Sequence, residues 1–152
     1  MSDAHAPAYR LAVVALDGGP SDARIIRLAA EIARHTKAGL VAVHVVEIDW
    51  TLPLDADIAG RSDEAQRVLD SAESVAEEFK VTLDSVLLQA RDVGAALVDE
   101  ATERGADLLV VGLPYRQRFG GDFAIGRTIP YILQNAPCAV WVVRDPIPEE
   151  SA

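Results

Sequence analysis

Four short valine-rich runs are the feature of this sequence that most limits its fold. They occupy residues 10–16, 40–46, 106–112 and 138–144 and read RLAVVAL, LVAVHVV, ADLLVVG and CAVWVVR. Each run is almost entirely apolar instead of alternating with polar residues, which is typical of strands buried on both faces of a parallel sheet. A further strand, VTLDSVLLQA, is predicted over 81–90.

Segments with helical periodicity separate these strands. After the first strand, apolar residues recur at intervals of three and four and form one stripe of a helix, namely Ile25, Leu28, Ala29, Ile32 and Ala33. Ser21 precedes that stripe and is expected to cap the helix. Further helices are predicted from Ser62 onward, over 93–104 with Gly105 as a C-terminal stop, and over roughly 127–135.

Regular alternation of strands and helices predicts an α/β protein whose parallel sheet is covered on both faces. We expect a single-domain, doubly wound five-stranded sheet, and right-handed crossovers favour the strand order 3-2-1-4-5. The domain is expected to span 9–145, with a flexible tail over 1–8 and a polar tail over 146–152.

That strand order reverses its winding between the first and fourth strands. Ligands of such sheets bind beyond the carboxyl ends of the strands at this switch point. The segments leaving it are DGGPS at 17–21 and GLPYRQR at 112–118. The predicted topology therefore directs the search for a site to these two segments.

Composition excludes several classes of partner. The chain has 24 acidic and 14 basic residues and a net charge of −10, so its field repels nucleic acids and anionic membranes. The single cysteine, Cys138, excludes a disulfide within the chain and fits a reducing compartment. Since no apolar run approaches the ~20 residues of a membrane span and no signal-peptide pattern is evident, we expect a cytoplasmic protein without membrane insertion.

The segment GLPYRQRFGGDFAIGRT, residues 112–128, combines glycine with local positive charge. Three arginines against one aspartate give it a net charge of +2 within an acidic chain, the residues being Arg116, Arg118, Arg127 and Asp122. Glycine allows close approach of a backbone to a ligand, and a helix N-terminus attracts anions. This pattern indicates an anion site, while the alternative is a surface loop with ordinary solvated arginines.

The end of the chain, GRTIPYILQNAPCAVWVVR at 126–144, closely resembles the end of universal stress proteins. LAVVALDGGPSD at 11–22, LVAVHVVE at 40–47 and GADLLVVG at 105–112 extend the resemblance over nearly the whole chain. The resemblance implies the nucleotide-binding architecture of the adenine nucleotide alpha hydrolase type. It also implies an adenine nucleotide, ATP or AMP, as ligand, with Mg²⁺ accompanying ATP.

Nucleotide-binding universal stress proteins hold ATP with glycine, two residues, glycine, nine residues, glycine, and serine or threonine. Gly112 and Gly126 match the first and third glycines, but Tyr115 stands at the second and ten residues separate it from Gly126. Tyr115 is expected to compete for the space of the phosphates and to resist a positive φ. Arg127 occupies the hydroxyl position; its guanidinium can bind phosphate through two N–H groups, and Thr128 can supply the hydroxyl.

On the adenosine side the resemblance assigns Asp17 to the ribose hydroxyls, because a carboxylate can accept two hydrogen bonds. The alternative for Asp17 is a turn or helix cap. Ala15 and Val45 match positions near the adenine, although such residues are commonly plain core. The predicted nucleotide site thus comprises Ala15, Asp17, Val45, Gly112, Arg116, Gly126, Arg127 and Thr128.

Catalytic motifs are missing from the sequence. It contains no G-x-S-x-G elbow, no G-x-x-x-x-G-K-[ST] loop and no H-E-x-x-H helix. His44 is predicted to be a hydrogen-bonded core residue and Cys138 a small buried hydrophobe. The sequence therefore predicts a binding protein with no catalytic residue and no metal site, and weak ATP hydrolysis stays as an alternative.

The last strand is apolar on both faces, and at a sheet edge it would be an aggregation hazard unless paired. The resemblance implies antiparallel pairing with a second copy, which predicts a homodimer through Val140, Trp141, Val142 and Val143. It also implies a partner such as a transporter or a signalling protein. The alternative to nucleotide binding is a nucleotide-independent dimeric interaction module with a degraded phosphate loop.

Overall fold

A computed structural model describes residues 9–56, 61–115 and 125–149. Its strands are β1 (Leu11–Leu16), β2 (Gly39–Glu47), β3 (Leu83–Ala90), β4 (Leu108–Leu113) and β5 (Ala139–Arg144). Its helices are α1 (Asp22–Thr36), α2 (Arg61–Glu78), α3 (Val93–Glu103) and α4 (Thr128–Asn135). Every predicted element is present, and the predicted boundaries differ from these by no more than two residues.

All five strands run parallel in the order β3-β2-β1-β4-β5, which confirms the predicted doubly wound topology. In the central part of the sheet Leu16 lies opposite His44 of β2, and Ala15 lies opposite Val111 of β4. The carboxyl ends of β1, β2 and β4 therefore meet at one edge, where the winding reverses.

Both faces of the central strands β1, β2 and β4 are buried, which explains why these strands are mostly apolar. Val14 belongs to a core cluster shared with α1 and α2, whereas its neighbour Val13 belongs to a second cluster shared with α3 and α4. Successive side chains of a strand point to opposite faces. Each valine of β1 therefore has a core to enter, and a polar residue here would be buried.

β5 closes one edge of the sheet. Trp141 packs against the core, with its ring edge-on to Tyr9 at a centroid distance of 5.8 Å, and Tyr9 donates its hydroxyl proton to the carbonyl of Ala29 at 2.8 Å. Val142 remains 37% exposed. Among the residues that the structure describes, no helix is both long enough and apolar enough to cross a membrane.

Candidate functional site

A cleft of about 870 Å³ lies at the carboxyl edge of the sheet, between the ends of β1, β2 and β4 and the starts of α2 and α4. Its volume falls within the range of roughly 300–1,000 Å³ found for small-molecule sites. The lining includes all but one of the predicted site residues, namely Ala15, Asp17, Val45, Gly112, Gly126, Arg127 and Thr128. The remaining one, Arg116, lies outside the described residues.

One end of the cleft is the N-terminus of α4. Gly126 has a φ of +77°, a conformation that glycine adopts without strain, and α4 begins two residues later at Thr128. At the start of the helix the N–H of Tyr131 donates a hydrogen bond to the carbonyl of Arg127, and the side chain of Arg127 makes no capping hydrogen bond. The amides of Thr128 and Ile129 precede that bond, and such amides attract anions.

Gly112 brings β4 and the β1–α1 loop into close contact. A Cβ atom at Gly112 would lie 2.8 Å from the Cβ of Ser21, far inside van der Waals distance. Ser21 is buried at 2% exposure. The glycine that the family motif places at the start of the phosphate loop therefore also has a packing role in this chain.

Ser21 does not cap α1 through its side chain, so the expectation from the sequence was wrong. Its hydroxyl donates instead to Oδ2 of Asp145 at 2.8 Å. The other oxygen of that carboxylate lies 3.2 Å from Nε of Arg24, and the Asp145 amide donates to the carbonyl of Leu113 at 2.9 Å. The residue after β5 thus ties the floor of the cleft to the ends of β4 and β5.

Two aspartates shape the β1–α1 loop. Asp17 is exposed, and its Oδ1 accepts a hydrogen bond from the Gly19 amide at 2.7 Å, so the turn-stabilising role left open for it is present. Asp22 accepts the amides of Asp17 at 3.1 Å and of Gly18 at 2.8 Å. Sequence reasoning missed this role of Asp22, although an aspartate shortly after a Gly-Gly-Pro turn was a usable signal.

The two carboxylates are close enough to influence each other. Burial raises the pKa of Asp22 from its ordinary 3.8 to about 6, and the negative charge of Asp17 adds to the increase. The hydrogen bonds from the two loop amides act in the opposite direction. The floor of the cleft therefore gains negative charge as the pH rises through about 6.

The opposite end of the cleft is mostly apolar. Val45 is buried, Ala15 is half-buried, and both line the cleft. Nδ1 of His44 donates to the carbonyl of Leu16 at 2.8 Å, so this histidine is hydrogen-bonded as predicted. His44 also lines the cleft, which the sequence did not indicate.

Tyr115 was expected to compete for the space of the phosphates, but it is not among the residues that line the cleft. The described lining on this side ends with Leu113 and Pro114, and the ring of Tyr115 lies 5.4 Å from the guanidinium carbon of Arg144. A cation–π contact of this kind holds the ring against the end of β5. The tyrosine at the second glycine position therefore leaves the described part of the cleft open.

Charged groups of both signs line the cleft. The carboxylates are Asp17, Asp22, Glu47 and Glu64, and the guanidinium groups are Arg61, Arg67 and Arg127. Within the described ranges no three His, Cys, Asp or Glu side chains are grouped so that they could hold a metal ion.

Cys138 lies outside this cleft and is half-buried beneath α3 and α4. Burial raises the pKa of its thiol, which disfavours the reactive thiolate. This agrees with its interpretation as a packing residue.

A parallel sheet wound in this order, with a cavity at its switch point, defines a class of ligand-binding α/β proteins. Residues 8–144 match the model of the universal stress protein family. The chain belongs to that family, as its sequence motifs indicated.

Two relatives show different contexts for this domain. The chain is 31% identical over 134 residues to the sensor protein KdpD of Mycobacterium tuberculosis. The matched region is 88% of this chain but only 14% of that protein. It is 25% identical over 144 residues to the universal stress protein MJ0531 of Methanocaldococcus jannaschii, covering 91% and 84% of the two chains. The chain thus spans about one seventh of the sensor protein and most of the archaeal one.

Solved structures share the fold. A universal stress family protein of Burkholderia pseudomallei superposes with a TM-score of 0.66 at 27% identity, covering 89% of this chain and 96% of its own. The Archaeoglobus fulgidus protein in complex with dAMP gives a TM-score of 0.70 at 23% identity, covering 89% and 98%. A universal stress protein in complex with cAMP gives 0.64 at 24% identity, covering 89% and 96%.

Proposed function

We propose that this chain is a regulatory binding module that holds an adenine nucleotide in the cleft between β1 and β4. The observation that carries the proposal is that one cavity is lined both by Asp17 and by the Gly126–Thr128 segment at the start of α4. Structures of the same fold in complex with dAMP and cAMP support it. The nucleotide would be AMP or ATP, and its occupancy would be passed to a partner protein.

The chemistry of the two ends of the cleft orients the nucleotide. The phosphate belongs at Gly126–Thr128, where Arg127 and the amides of a helix N-terminus stabilise an anion. The ribose hydroxyls belong beside the exposed carboxylate of Asp17. The base then fits the apolar end, between Ala15 and Val45.

Charge in the cleft favours a monophosphate over a free triphosphate. The described lining holds four carboxylates against three guanidinium groups, so additional phosphates meet net negative charge. Mg²⁺ would relieve this repulsion for ATP by neutralising phosphate oxygens. We therefore expect AMP to bind more tightly than ATP in the absence of magnesium.

We propose binding without turnover. The carboxylate of Asp22, with a pKa of about 6, could in principle act as a general base, but it already accepts hydrogen bonds from two amides of the loop. In that role it holds the loop, and removing it would change the shape of the site. Weak hydrolysis would be recognised as turnover that falls in parallel with affinity in Asp17→Ala.

Isothermal titration calorimetry with AMP, ATP and ATP plus magnesium tests the proposal. Asp17→Asn should weaken AMP binding by about tenfold or more, since it removes a charged acceptor for the ribose. Asp99→Asn is the matched control, because Asp99 is an exposed aspartate of α3 that does not line the cleft. Absence of heat and of a thermal shift with every nucleotide would exclude the proposal.

A second proposal concerns β5. Its edge is open in the single chain, and Val142 is exposed there while Trp141 is held inward. We propose that two copies pair through this strand, with Val140, Trp141, Val142 and Val143 at or near the contact. We also propose that the protein acts in the cytoplasm. Light scattering should give a dimer mass for the native chain and a monomer mass for Val142→Lys; a native monomer at micromolar concentration would contradict the pairing.

A further inference from the structure

A segment outside the cleft exposes several large apolar side chains. Residues 48–56, here called the Trp50 loop, follow β2 and carry Trp50 at 79% exposure, Leu54 at 50% and Leu52. Single exposed apolar residues are ordinary on protein surfaces, but three within five positions, one of them tryptophan, form a patch. Exposed tryptophan is also among the residues that contribute most to protein–protein binding.

The Trp50 loop is held from outside by the end of β3. Arg91 donates to the carbonyls of Asp49 at 2.8 Å and of Leu52 at 2.9 Å, and its guanidinium carbon lies 4.9 Å from the ring centre of Trp50. Gln89 donates to the carbonyl of Ala56 at 2.8 Å. Gln89 near the end of β3 and Arg91 just after β3 thus hold both ends of the loop.

Bonds within the Trp50 loop add to this restraint. Oδ1 of Asp49 accepts both the amide and the hydroxyl of Thr51, at 2.8 and 2.7 Å. The Leu52 amide donates to the carbonyl of Asp49, and the Ala56 amide to that of Pro53, each at 3.0 Å. The exposure of Trp50 therefore belongs to an ordered surface, which lowers the entropy cost of binding a partner.

The charge of this surface selects its partner. Residues 48–56 include two exposed carboxylates, Asp49 and Asp55, and no basic residue. The guanidinium of Arg91, which contacts the loop, is bonded to two carbonyls and stacked on Trp50. Hydrogen bonds from Thr51 lower the pKa of Asp49, so its carboxylate is ionised at neutral pH.

We infer that the Trp50 loop is a docking surface for a protein segment in which lysine or arginine flanks large apolar side chains. The apolar side chains of the partner would pack on Trp50 and Leu54, and its cations would face Asp49 and Asp55. Anionic lipid and nucleic acid are disfavoured by the same carboxylates, and so is a second copy of this acidic chain.

Trp50 itself can report on the binding. The chain has two tryptophans, and Trp141→Phe leaves Trp50 as the single emitter. The probe is an amphipathic peptide of leucine and lysine, compared with a leucine–glutamate peptide of the same pattern. We expect the lysine peptide alone to shift Trp50 emission to the blue with saturation. Failure of the lysine peptide to bind, or equal binding of both peptides, would overturn the inference.

Matched variants separate this surface from general attraction to an acidic protein. With a labelled lysine peptide, Trp50→Ala and Leu54→Ser should each weaken binding by about tenfold or more. Leu133→Ser is the control, because Leu133 of α4 is 58% exposed and lies on another part of the chain. Equal losses in Leu54→Ser and Leu133→Ser would overturn the inference, and thermal melts confirm that each variant is folded.

Two further measurements test the choice of partner. A blue shift of Trp50 emission on vesicles of phosphatidylglycerol would show that the loop binds a lipid surface instead. A change of Trp50 emission with protein concentration would show self-association. Either result overturns the inference. Asp49→Asn with Asp55→Asn should weaken the lysine peptide several-fold and reduce its salt dependence. None of these experiments requires nucleotide, so their outcome is independent of the proposed nucleotide site.

Discussion

The β1–α1 loop and the Trp50 loop leave the same edge of the sheet, and hydrogen bonds from side chains shape both of them. In the first loop the carboxylates of Asp22 and Asp145 turn the chain inward, where it forms the floor of a cleft. In the second loop Arg91 and Gln89 hold the backbone from β3, so that Trp50 projects outward. The position of the anchoring side chains thus makes one loop the floor of a pocket and the other an exposed surface.

The largest effect is expected where the first loop touches β4. Gly112→Ala places a Cβ atom 2.8 Å from that of Ser21, and the resulting overpacking should cost about 1–3 kcal/mol in the free energy of unfolding. Urea denaturation measures this cost. Gly105→Ala is the control for a glycine with open space around it and a positive φ, and its cost should be smaller, about 1 kcal/mol.

A double-mutant cycle sharpens this test. Ser21→Gly removes the Cβ that Gly112→Ala would meet, so the double variant should regain part of the lost stability. Simple addition of the two single effects would show that the two positions do not clash, which contradicts the close packing of the two segments.

Loss of the anchor at Asp145 should have the next largest effect. Asp145→Ala leaves the buried hydroxyl of Ser21 without its acceptor and removes the ion pair with Arg24, at an expected cost of about 1–3 kcal/mol. Because the floor of the cleft loosens, AMP affinity should fall as well, whereas peptide binding at the Trp50 loop should not change. Hydrogen exchange of residues 17–21 measures the loosening even without nucleotide, and unaltered exchange there would refute the anchoring role.

The corresponding change on the outward loop is Arg91→Ala. It removes two hydrogen bonds to the carbonyls of Asp49 and Leu52 and the cation–π contact with Trp50, and should destabilise the protein by about 1 kcal/mol. Trp50 fluorescence anisotropy should decrease, and AMP affinity should stay the same. Arg91→Lys keeps the charge but cannot bond two carbonyls in the same way, so it should resemble the alanine variant.

The smallest effect is the pH dependence due to Asp22. Its folded pKa of about 6 lies above the ordinary 3.8, so the folded state binds more protons between these values than the unfolded state. Its contribution to stability is therefore greatest below about pH 4, falls as the pH rises to about 6 and is constant above, with an amplitude of the order of 1 kcal/mol for this partly buried group. Unfolding free energies measured from pH 4 to 7 should show this decline.

Two variants identify the group responsible. Asp22→Asn should remove the Asp22 part of the decline, because it has no proton to lose. Asp17→Asn should lower the pKa of Asp22 towards its ordinary value, since it removes the neighbouring negative charge. A carbon-detected NMR titration of the Asp22 carboxyl group would show this directly. A decline that is identical in all three proteins would assign it to another group.

The sequence by itself predicted the layers of this protein and narrowed its strand order. Continuous apolar runs are typical of strands buried on both faces, and the right-handed crossover rule leaves few orders, of which the expected one is observed. It also placed Asp17 and Gly112 at the switch point, because residues at the carboxyl ends of parallel strands share one edge of the sheet. These features follow from local periodicity and from rules that hold for all parallel sheets.

Tertiary structure alone decided which side chains anchor the loops. Ser21 and Asp145 are separated by 124 positions, and Arg91 meets the carbonyl of Asp49 across 42. No local pattern encodes such pairs, since a serine before a helix fits a cap equally well and an arginine after a strand fits solvent. Only the packed sheet brings β5 beside β4 and β3 beside β2, and that proximity selects the bonds that form.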